Sequence, residues 1–396
     1  MTFTRAGRQI GSVARVGIAT IPKRIGAAAV VVVGIAGVVG VFVGLLAMGE
    51  GFEKTLTQTG NDENIIVLQA GARSEAASAL AHETPAIVSQ ALQVQQSSSG
   101  RAMISPELVV GASLQKKSTE RESNVAIRGV GELAWQLRPH VRIIAGRTFL
   151  SGLNELVVGH YVQRQFAGTE PGSKLTLQGQ TWTVVGVFDS GDAHNSEIWA
   201  DTDVLGPAFR RANAKSSLLL RLSDSRMLSG FKAQLSTDPR LRVDVLTTRQ
   251  YYSLQSERLA SMIRVFGVTI AAIMALGAMI GALNTMFTAV ATRAREIATL
   301  RAIGFRSVTV IVSVLLETML LAATGGVVGA GLAWVLFDGF NASTAGSGGQ
   351  IMFTFKVSPG LLGTGLLAAL SIGFIGGLLP AIRAARIPIA TALREL

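Results

Sequence analysis

The chain has no cysteine. That excludes disulfide staples, a thiol nucleophile, a haem-attachment pair and any thiolate zinc site. Histidine is scarce as well. His82, His140, His160 and His194 stand far apart and show no metal-ligand spacing. No Gly-x-x-x-x-Gly-Lys-Ser/Thr occurs, so the chain has no phosphate-cradling loop of its own. Gly-x-Ser-x-Gly and His-Glu-x-x-His are also missing. Charged residues make up only 15% of the 396, against 49% apolar, which is low in charge for a soluble protein. Acids are wholly lacking from residues 1–24, where Arg5, Arg8, Arg15, Lys23 and Arg24 stand unopposed.

What is present in their place is hydrocarbon in long runs. Four apolar stretches cover Ile25 to Met48, Val265 to Ala291, Val308 to Phe337 and Leu361 to Ile382. The first alone reaches about 36 Å as a helix, enough to cross a membrane core of about 30 Å. Its apolar run is too long for a signal peptide, and no clean small-x-small cleavage site follows, so a retained helix is expected.

The charge is sorted around these runs. Residues 1–24, the stretch 292–307 and the tail after Ile382 together hold 12 basic and 2 acidic residues, or +10 of the chain's +11. The remaining 24 basic and 23 acidic residues nearly cancel. Lys and Arg are retained on the cytoplasmic side, so both termini and the 292–307 loop are expected inside. The basic excess is thus topogenic, and nucleic acid is not an expected partner.

These signals give a membrane protein of four transmembrane α-helices. A large extracytoplasmic α+β domain is inserted between helices 1 and 2. A cytoplasmic basic amphipathic helix over 1–24 precedes transmembrane helix 1 at 25–48. The outer domain spans 49–258. Its strand and helix spacing suggests a membrane-proximal split subdomain, about 51–115 and 215–250, with a distal subdomain of about 116–214 inserted. Stalk and transmembrane helix 2 take 259–291, a cytoplasmic loop 292–307, and helix 3 takes 308–337. A short outer link at 338–360, helix 4 at 361–382 and a cytoplasmic tail at 383–396 complete the chain.

Within the outer domain, Asn64 to Ala70, Val109 to Leu114, Asn124 to Val130, Ser217 to Leu222 and Leu241 to Leu246 read as strands. Lys174 to Gln178 and Thr181 to Phe188 flank Gly179-Gln180 as a hairpin. Helices are expected over 84–96, with Pro85 in its first turn, and over 225–235. From Thr248 the pattern is helical without a breaker into the second span, as a stiff stalk would be. Asp189, Asp192 and His194 cluster in a Gly-containing loop, which reads as a solvated turn. Small-xxx-small pairs occur at Gly40/Gly44, Gly277/Gly281 and Gly325/Gly329, which permit close helix approach. Glu317 lies about ten residues inside the third span, where a carboxylate costs a few kcal/mol and is expected to be held in a contact.

Asn284-Thr285-Met286 ends the second span. Arg293-Ala294-Arg295-Glu296-Ile297-Ala298-Thr299-Leu300-Arg301-Ala302-Ile303-Gly304 follows, then Glu317 and Gly325-Gly326-Val327-Val328-Gly329. The fourth span closes on Gly376-Gly377-Leu378-Leu379-Pro380-Ala381-Ile382-Arg383. This closely resembles MacB/FtsX-type ABC transporter permeases. Leu156-Val157-Val158-Gly159 and Thr183-Val184-Val185-Gly186-Val187 resemble their external domain. The chain departs from the family pattern at Thr292, Ala298, Pro388 and Thr391.

The resemblance implies a non-catalytic subunit of the bacterial inner membrane, N-in and C-in. It pairs as a dimer with a second copy or a related permease. No cofactor is bound directly; an ABC ATPase partner holds ATP and Mg. ATP-driven closure moves the external domain to drive efflux or extraction from the periplasm or outer leaflet, with a periplasmic adaptor and an outer-membrane channel as further partners. The alternatives are an FtsX-like regulator of a cell-wall hydrolase and a LolC/LolE-like lipoprotein-releasing permease. Residues 293–304 then read as a coupling helix to the ATPase, carried by Arg293, Arg295, Glu296, Ile297, Leu300, Arg301, Ile303 and Gly304. Ile297, Leu300, Arg301 and Gly304 are expected on one face. Intramembrane packing falls to Asn284, Glu317, Gly325, Gly329 and Pro380, and cytoplasmic tail contacts to Arg383, Arg386 and Leu393.

Overall fold

The computed structural model of the chain describes residues 25–345 and 349–388. The basic helix expected over 1–24 and Leu393 lie outside the described residues. The chain forms two compact units. One holds residues up to Glu50, Ala260–Phe340 and the part from Phe355 onward; the other holds Gly51–Leu259 and Asn341–Thr354.

The first unit is helical. Among the described residues four helices are long and apolar enough to cross a membrane: α1 (Ile25–Thr59), α7 (Thr248–Thr292), α9 (Ser307–Phe337) and α10 (Pro359–Ala385). A short helix, α8 (Ala294–Ala302), lies between α7 and α9. Hydrocarbon offers helices no hydrophobic drive to associate, so packing depends on close approach at small residues. Two of the three glycine pairs serve this. A Cβ on Gly325 would stand 2.8 Å from the Val32 carbonyl, and one on Gly329 would overlap Ala36 of α1. A Cβ on Gly44 would stand 2.7 Å from the Phe337 ring. A Cβ on Gly277 or Gly281 would meet nothing within 4 Å among the described residues. Pro380 is buried in the last turns of α10.

The second unit is built on a mixed sheet of ten strands in the order β10-β1-β9-β2-β3-β8-β5-β7-β4, with β6 also on β7. These are β1 (Asn64–Gln69), β2 (Ile104–Gln115), β3 (Glu122–Val130), β4 (Arg142–Gly146), β5 (Glu155–Gly159), β6 (Lys174–Leu177), β7 (Gln180–Asp189), β8 (Glu197–Asp201), β9 (Ser217–Arg221) and β10 (Val243–Thr247). Sequence-distant strands meet at one end: Ile65 pairs with both Thr247 and Leu220. The twelve-residue β2 bridges the sheet, its start on β9 at Ile104↔Leu220 and its remainder on β3 at Leu108↔Gly129. Two buried clusters flank the bridge. One is centred on Val67, Leu220 and Phe231, the other on Ile127, Trp182 and Ile198. The β6–β7 turn centres on Gln178 and Gly179, both at positive φ, one residue earlier than the sequence suggests.

Short helices α2 (Thr84–Ser89), α3 (Ala134–Leu137), α4 (His160–Gln165), α5 (Thr202–Ala208) and α6 (Leu228–Thr237) cover the sheet's connections. The helix expected over 84–96 stops at Ser89. Beyond it Val94 bridges Leu222 and Gln96 bridges Ala102. Backbone pairing with neighbours outweighs a helical pattern that has no side-chain cap at its start.

The link between α9 and α10 contains a hairpin the sequence reading did not anticipate, β11 (Asn341–Ala345) and β12 (Gln350–Thr354). It belongs to the sheet unit. The Met352 N–H donates to Ser196 Oγ at 2.9 Å, and Phe353 packs edge-on against Phe52 at 5.5 Å.

Candidate functional site

In the helical unit, α8 turns on its capping residue Arg293, whose side chain reaches two carboxylates. Nε bonds Glu296 at 3.1 Å and Nη1 bonds the buried Glu317 at 3.2 Å. Glu317 has a further interaction besides. A carboxylate inside an apolar helix thus ties α9 to the start of α8. Glu317→Gln should keep an acceptor for Arg293 and leave assembly near normal, whereas Glu317→Leu should lower the yield of monodisperse protein. Equal yields in size-exclusion profiles would remove the pair from the joint.

The expected docking face of α8 is rearranged. Ile297 is buried with Met286, Val310 and Ala384 of its own bundle. Arg301 turns inward too, donating to the Ile387 carbonyl. Arg295 and Ile303 lie exposed and Leu300 half-buried. Gly304 follows the capping residue Ile303 with φ +102°, a turn conformation that favours glycine. Asn284 is exposed rather than packed within the chain, because the inward face of α7 is set by Ala282, Met286 and Ala289. The Arg383 guanidinium lies 5.4 Å over the Phe287 ring, and Arg386 is exposed.

In the sheet unit, polar groups converge at a site that the sequence reading did not single out. Arg128 of β3 is buried and surrounded by three carboxylates. It bonds Glu75 at 2.7 and 2.9 Å, Glu107 at 2.8 Å, and Glu197 at 2.8 Å from both Nε and Nη2. Arg138 clamps Glu107 from the other side at 2.6 and 2.9 Å and stacks over Trp199 at 5.4 Å. Ser217 donates to Glu75 at 2.6 Å, and Trp199 Nε1 donates to Glu197 at 2.8 Å. His194 Nδ1 lies 3.0 Å from Glu197.

Burial opposes charge on these carboxyls, yet the facing guanidiniums prevail. Arg128 holds Glu197 well below the usual carboxylate range, and Arg138 with Arg128 lowers Glu107. Burial pushes the Tyr252 hydroxyl well up. The loop around Asp192 is no solvated turn. Asp192 accepts from Ser190 Oγ at 2.6 Å and the His194 N–H at 2.9 Å, and lies 3.1 Å from His140 Nε2. The network therefore spans β2, β3, β8, β9 and the loop after β1. The Glu75 N–H donates to the Tyr251 hydroxyl at 3.0 Å, which extends it into the first turn of α7.

The helix ends that enter this unit are also clasped together. The Asn61 N–H donates to Thr248 Oγ1 at 2.9 Å, and Asn61 O accepts from the same hydroxyl and from the Arg249 N–H. Asp62 pairs with Arg249 at 2.8 Å.

Comparison with known families gives two matches that together cover most of the chain. Residues 28–237 match the MacB-like periplasmic core domain, and residues 268–389 match the FtsX-like permease C-terminal domain. The chain belongs to the MacB/FtsX-type permeases of ABC transporters. Like other such permeases it is a multi-pass membrane protein with a mixed-sheet domain between its first two helices. Among its relatives is the uncharacterized ABC transporter permease YknZ of Bacillus subtilis, 26% identical over 71% of this chain and 73% of that protein. The macrolide export ATP-binding/permease protein MacB of Photorhabdus laumondii is 26% identical over 74% of this chain but 46% of its own length. The chain thus spans less than half the length of the MacB relatives it matches. Among solved structures, the extracellular domain of YknZ matches at 17% identity and a TM-score of 0.35, over 46% of this chain and all of that domain.

Proposed function

We propose that this permease is a mechanical transmitter. A separate ABC ATPase binds ATP and Mg at the cytoplasmic face, and closure of that ATPase is carried by α7 into movement of the sheet domain, which drives a substrate outward from the periplasmic side. The observation that carries this reading is the uninterrupted 45-residue helix Thr248–Thr292. It starts directly after β10, with no flexible linker, and contains an apolar span. A stiff helix transmits displacement that a flexible segment absorbs. The Asn61 clasp and the Glu75–Tyr251 bond fix the helix base to the sheet, so motion of α7 reaches the domain rather than the linker.

The scarcity of polar groups within the four spans argues against a hydrophilic path through one copy. A second copy would cover the apolar face of α7 that includes Phe266, Ile273 and Ile280, all exposed in the single chain. An adaptor and outer-membrane channel would receive the substrate.

The test is to soften the helix. Four flexible residues, Gly-Gly-Ser-Gly, are inserted between Ala260 and Ser261, and the complex with its ATPase is assayed. ATP hydrolysis should persist while substrate export falls to background. Export at the normal rate would defeat the transmission reading.

Orientation is separately testable because the chain lacks cysteine. Ser98 and Ser307 are both exposed. Single cysteines there should react oppositely in intact cells, Ser98→Cys with an impermeant maleimide and Ser307→Cys only after permeabilisation. Labelling of both from outside would reject N-in, C-in.

A further inference from the structure

Among the described residues, strand β10 ends the sheet and pairs on one side only, with β1. Its other side opens into a cleft of about 800 Å³, within the size range of ligand sites, roughly 300–1,000 Å³. The hydrogen-bond phase of the strand can be worked out. In the β1–β10 register Ala70 falls opposite Arg242, and the Ala70 N–H donates to the Arg242 carbonyl. Antiparallel pairs alternate between bonded and non-bonded positions. Residues 242, 244 and 246 are therefore turned toward β1. Val243, Val245 and Thr247 turn their N–H and C=O groups outward. The Thr247 N–H confirms the phase, since it bonds the Gln250 side chain rather than β1. Val243 and Val245, whose main-chain groups point away from β1, both line the cleft, as do Asp244 and Leu246.

The walls add side-chain preferences. Phe52, Leu56 and Leu68 are buried and give one wall an apolar floor, joined by the exposed Leu254. Lys232, Arg73 and Arg258 also line it, against the single carboxylate of Asp244. That carboxylate is already engaged by the Gly71 N–H at 2.8 Å. Strand side chains alternate between faces. Val245 packs with Phe231 on the α6 side, while Leu246 is one step out of phase with it. Lys232 is carried by α6, so this cation and the apolar floor lie on opposite sides of the strand edge, whereas Arg258 stands one turn from Leu254 on α7.

We infer that this edge is a docking site for an extended, acidic–apolar peptide segment of a partner protein, which adds to the sheet beside β10. Its main chain pairs with Val243 and Val245. One set of its side chains enters the apolar floor, and the alternate, acidic set meets Lys232. Strand addition of this kind draws affinity from main-chain bonds and specificity from alternate side-chain pockets. The inference stands on the sheet unit alone and does not depend on the transmission reading.

The test uses the full chain in detergent and a fluorescein-labelled, end-blocked peptide, Asp-Val-Glu-Leu-Asp-Val, followed by anisotropy. Saturable binding is expected, weakened roughly tenfold or more by Lys232→Glu, which reverses one cation. Val243→Pro removes one outward donor while leaving the β1 ladder intact, as proline is tolerated on the open side of an edge strand. It should weaken binding without shifting the melting temperature. Of two peptides N-methylated at the two alternate sets of residues, one should fail to bind and the other should bind. Absence of saturable binding up to about 1 mM, or full binding by both N-methylated peptides, overturns the proposal. So does displacement of the peptide by dodecanoate with no effect of Val243→Pro, which would mark an amphiphile pocket. If the edge instead pairs with a second copy, Val243→Pro would dissociate dimers in sedimentation, and that result also overturns it.

Discussion

Arg128→Met should leave the sheet domain unable to hold its native state. The substitution keeps most of the side-chain volume and removes the one group that touches Glu75, Glu107 and Glu197 together. Arg138 would still face Glu107. Glu75 and Glu197 would be left buried without their guanidinium. Breaking a buried ion pair from one side costs about 3–5 kcal/mol, and here one change strands more than one partner. That is a large share of the roughly 5–15 kcal/mol that holds a typical domain. The measurement is thermal unfolding of the full chain in detergent, followed by tryptophan emission. Trp199 donates to Glu197 and lies under Arg138, so it reports on the network itself. Arg101→Met, which removes an exposed pair with Glu132, serves as the control and should melt like the parent. An Arg128→Met protein that also melts like the parent would show the network to be dispensable.

Acid should reach the same end by another route. The Glu107, Glu197 and Asp192 carboxyls are all held below their ordinary values in the folded state. A carboxyl depressed on folding contributes stability that is present above its unfolded value. That stability is lost as pH falls through the folded one. The melting temperature should therefore hold near neutrality and decline below the ordinary glutamate value of 4.5. A profile that stays flat well below that point would contradict the charge assignment.

The second large effect is expected at the α8 elbow. If α8 is the joint to the proposed ATPase, Leu300→Asp should abolish co-purification with it while leaving the permease folded and inserted. Ile297 and Arg301 already serve the bundle, so the surface left for docking on α8 centres on Leu300 with the exposed Arg295 and Ile303. An unpaired carboxylate buried at that contact costs several kcal/mol, and about 3 kcal/mol lowers affinity more than a hundredfold. All the basic residues that anchor the loop are unchanged, so insertion is preserved. The melt of the isolated permease should be unaltered. Normal co-purification and export by the variant would show that α8 is not the joint.

The split between what could be read and what could not follows from how far each force reaches along the chain. Four apolar runs and a segregated charge excess are local properties, so the spans, the breaker-free stalk and the inserted α+β domain were legible from the residues alone. The glycine pairs were visible too, but only the packed helices decide that Gly325 and Gly329 meet α1 while a Cβ on Gly277 or Gly281 would meet nothing among the described residues. The face of α8 was read from periodicity, which fixes residues that share a side but not which side turns inward. Burial of Ile297 against Val310 and Ala384 settled that. The hairpin in the α9–α10 link escaped notice because its residues show little alternation; Ser196 and Phe52 contact it from elsewhere in the chain.

The ion network was the least legible feature. Arg128 sits inside the strand Asn-Val-Ala-Ile-Arg-Gly-Val, and a lone charge in a buried strand was its one sequence signal. Its carboxylates come from positions 75, 107 and 197. The sequence by itself determined which segments are long and apolar enough to leave water for the membrane, because transfer energies act residue by residue. Only the tertiary structure decided which charges neutralise one another and which strand edge stays open, because both depend on contacts between residues far apart in the chain.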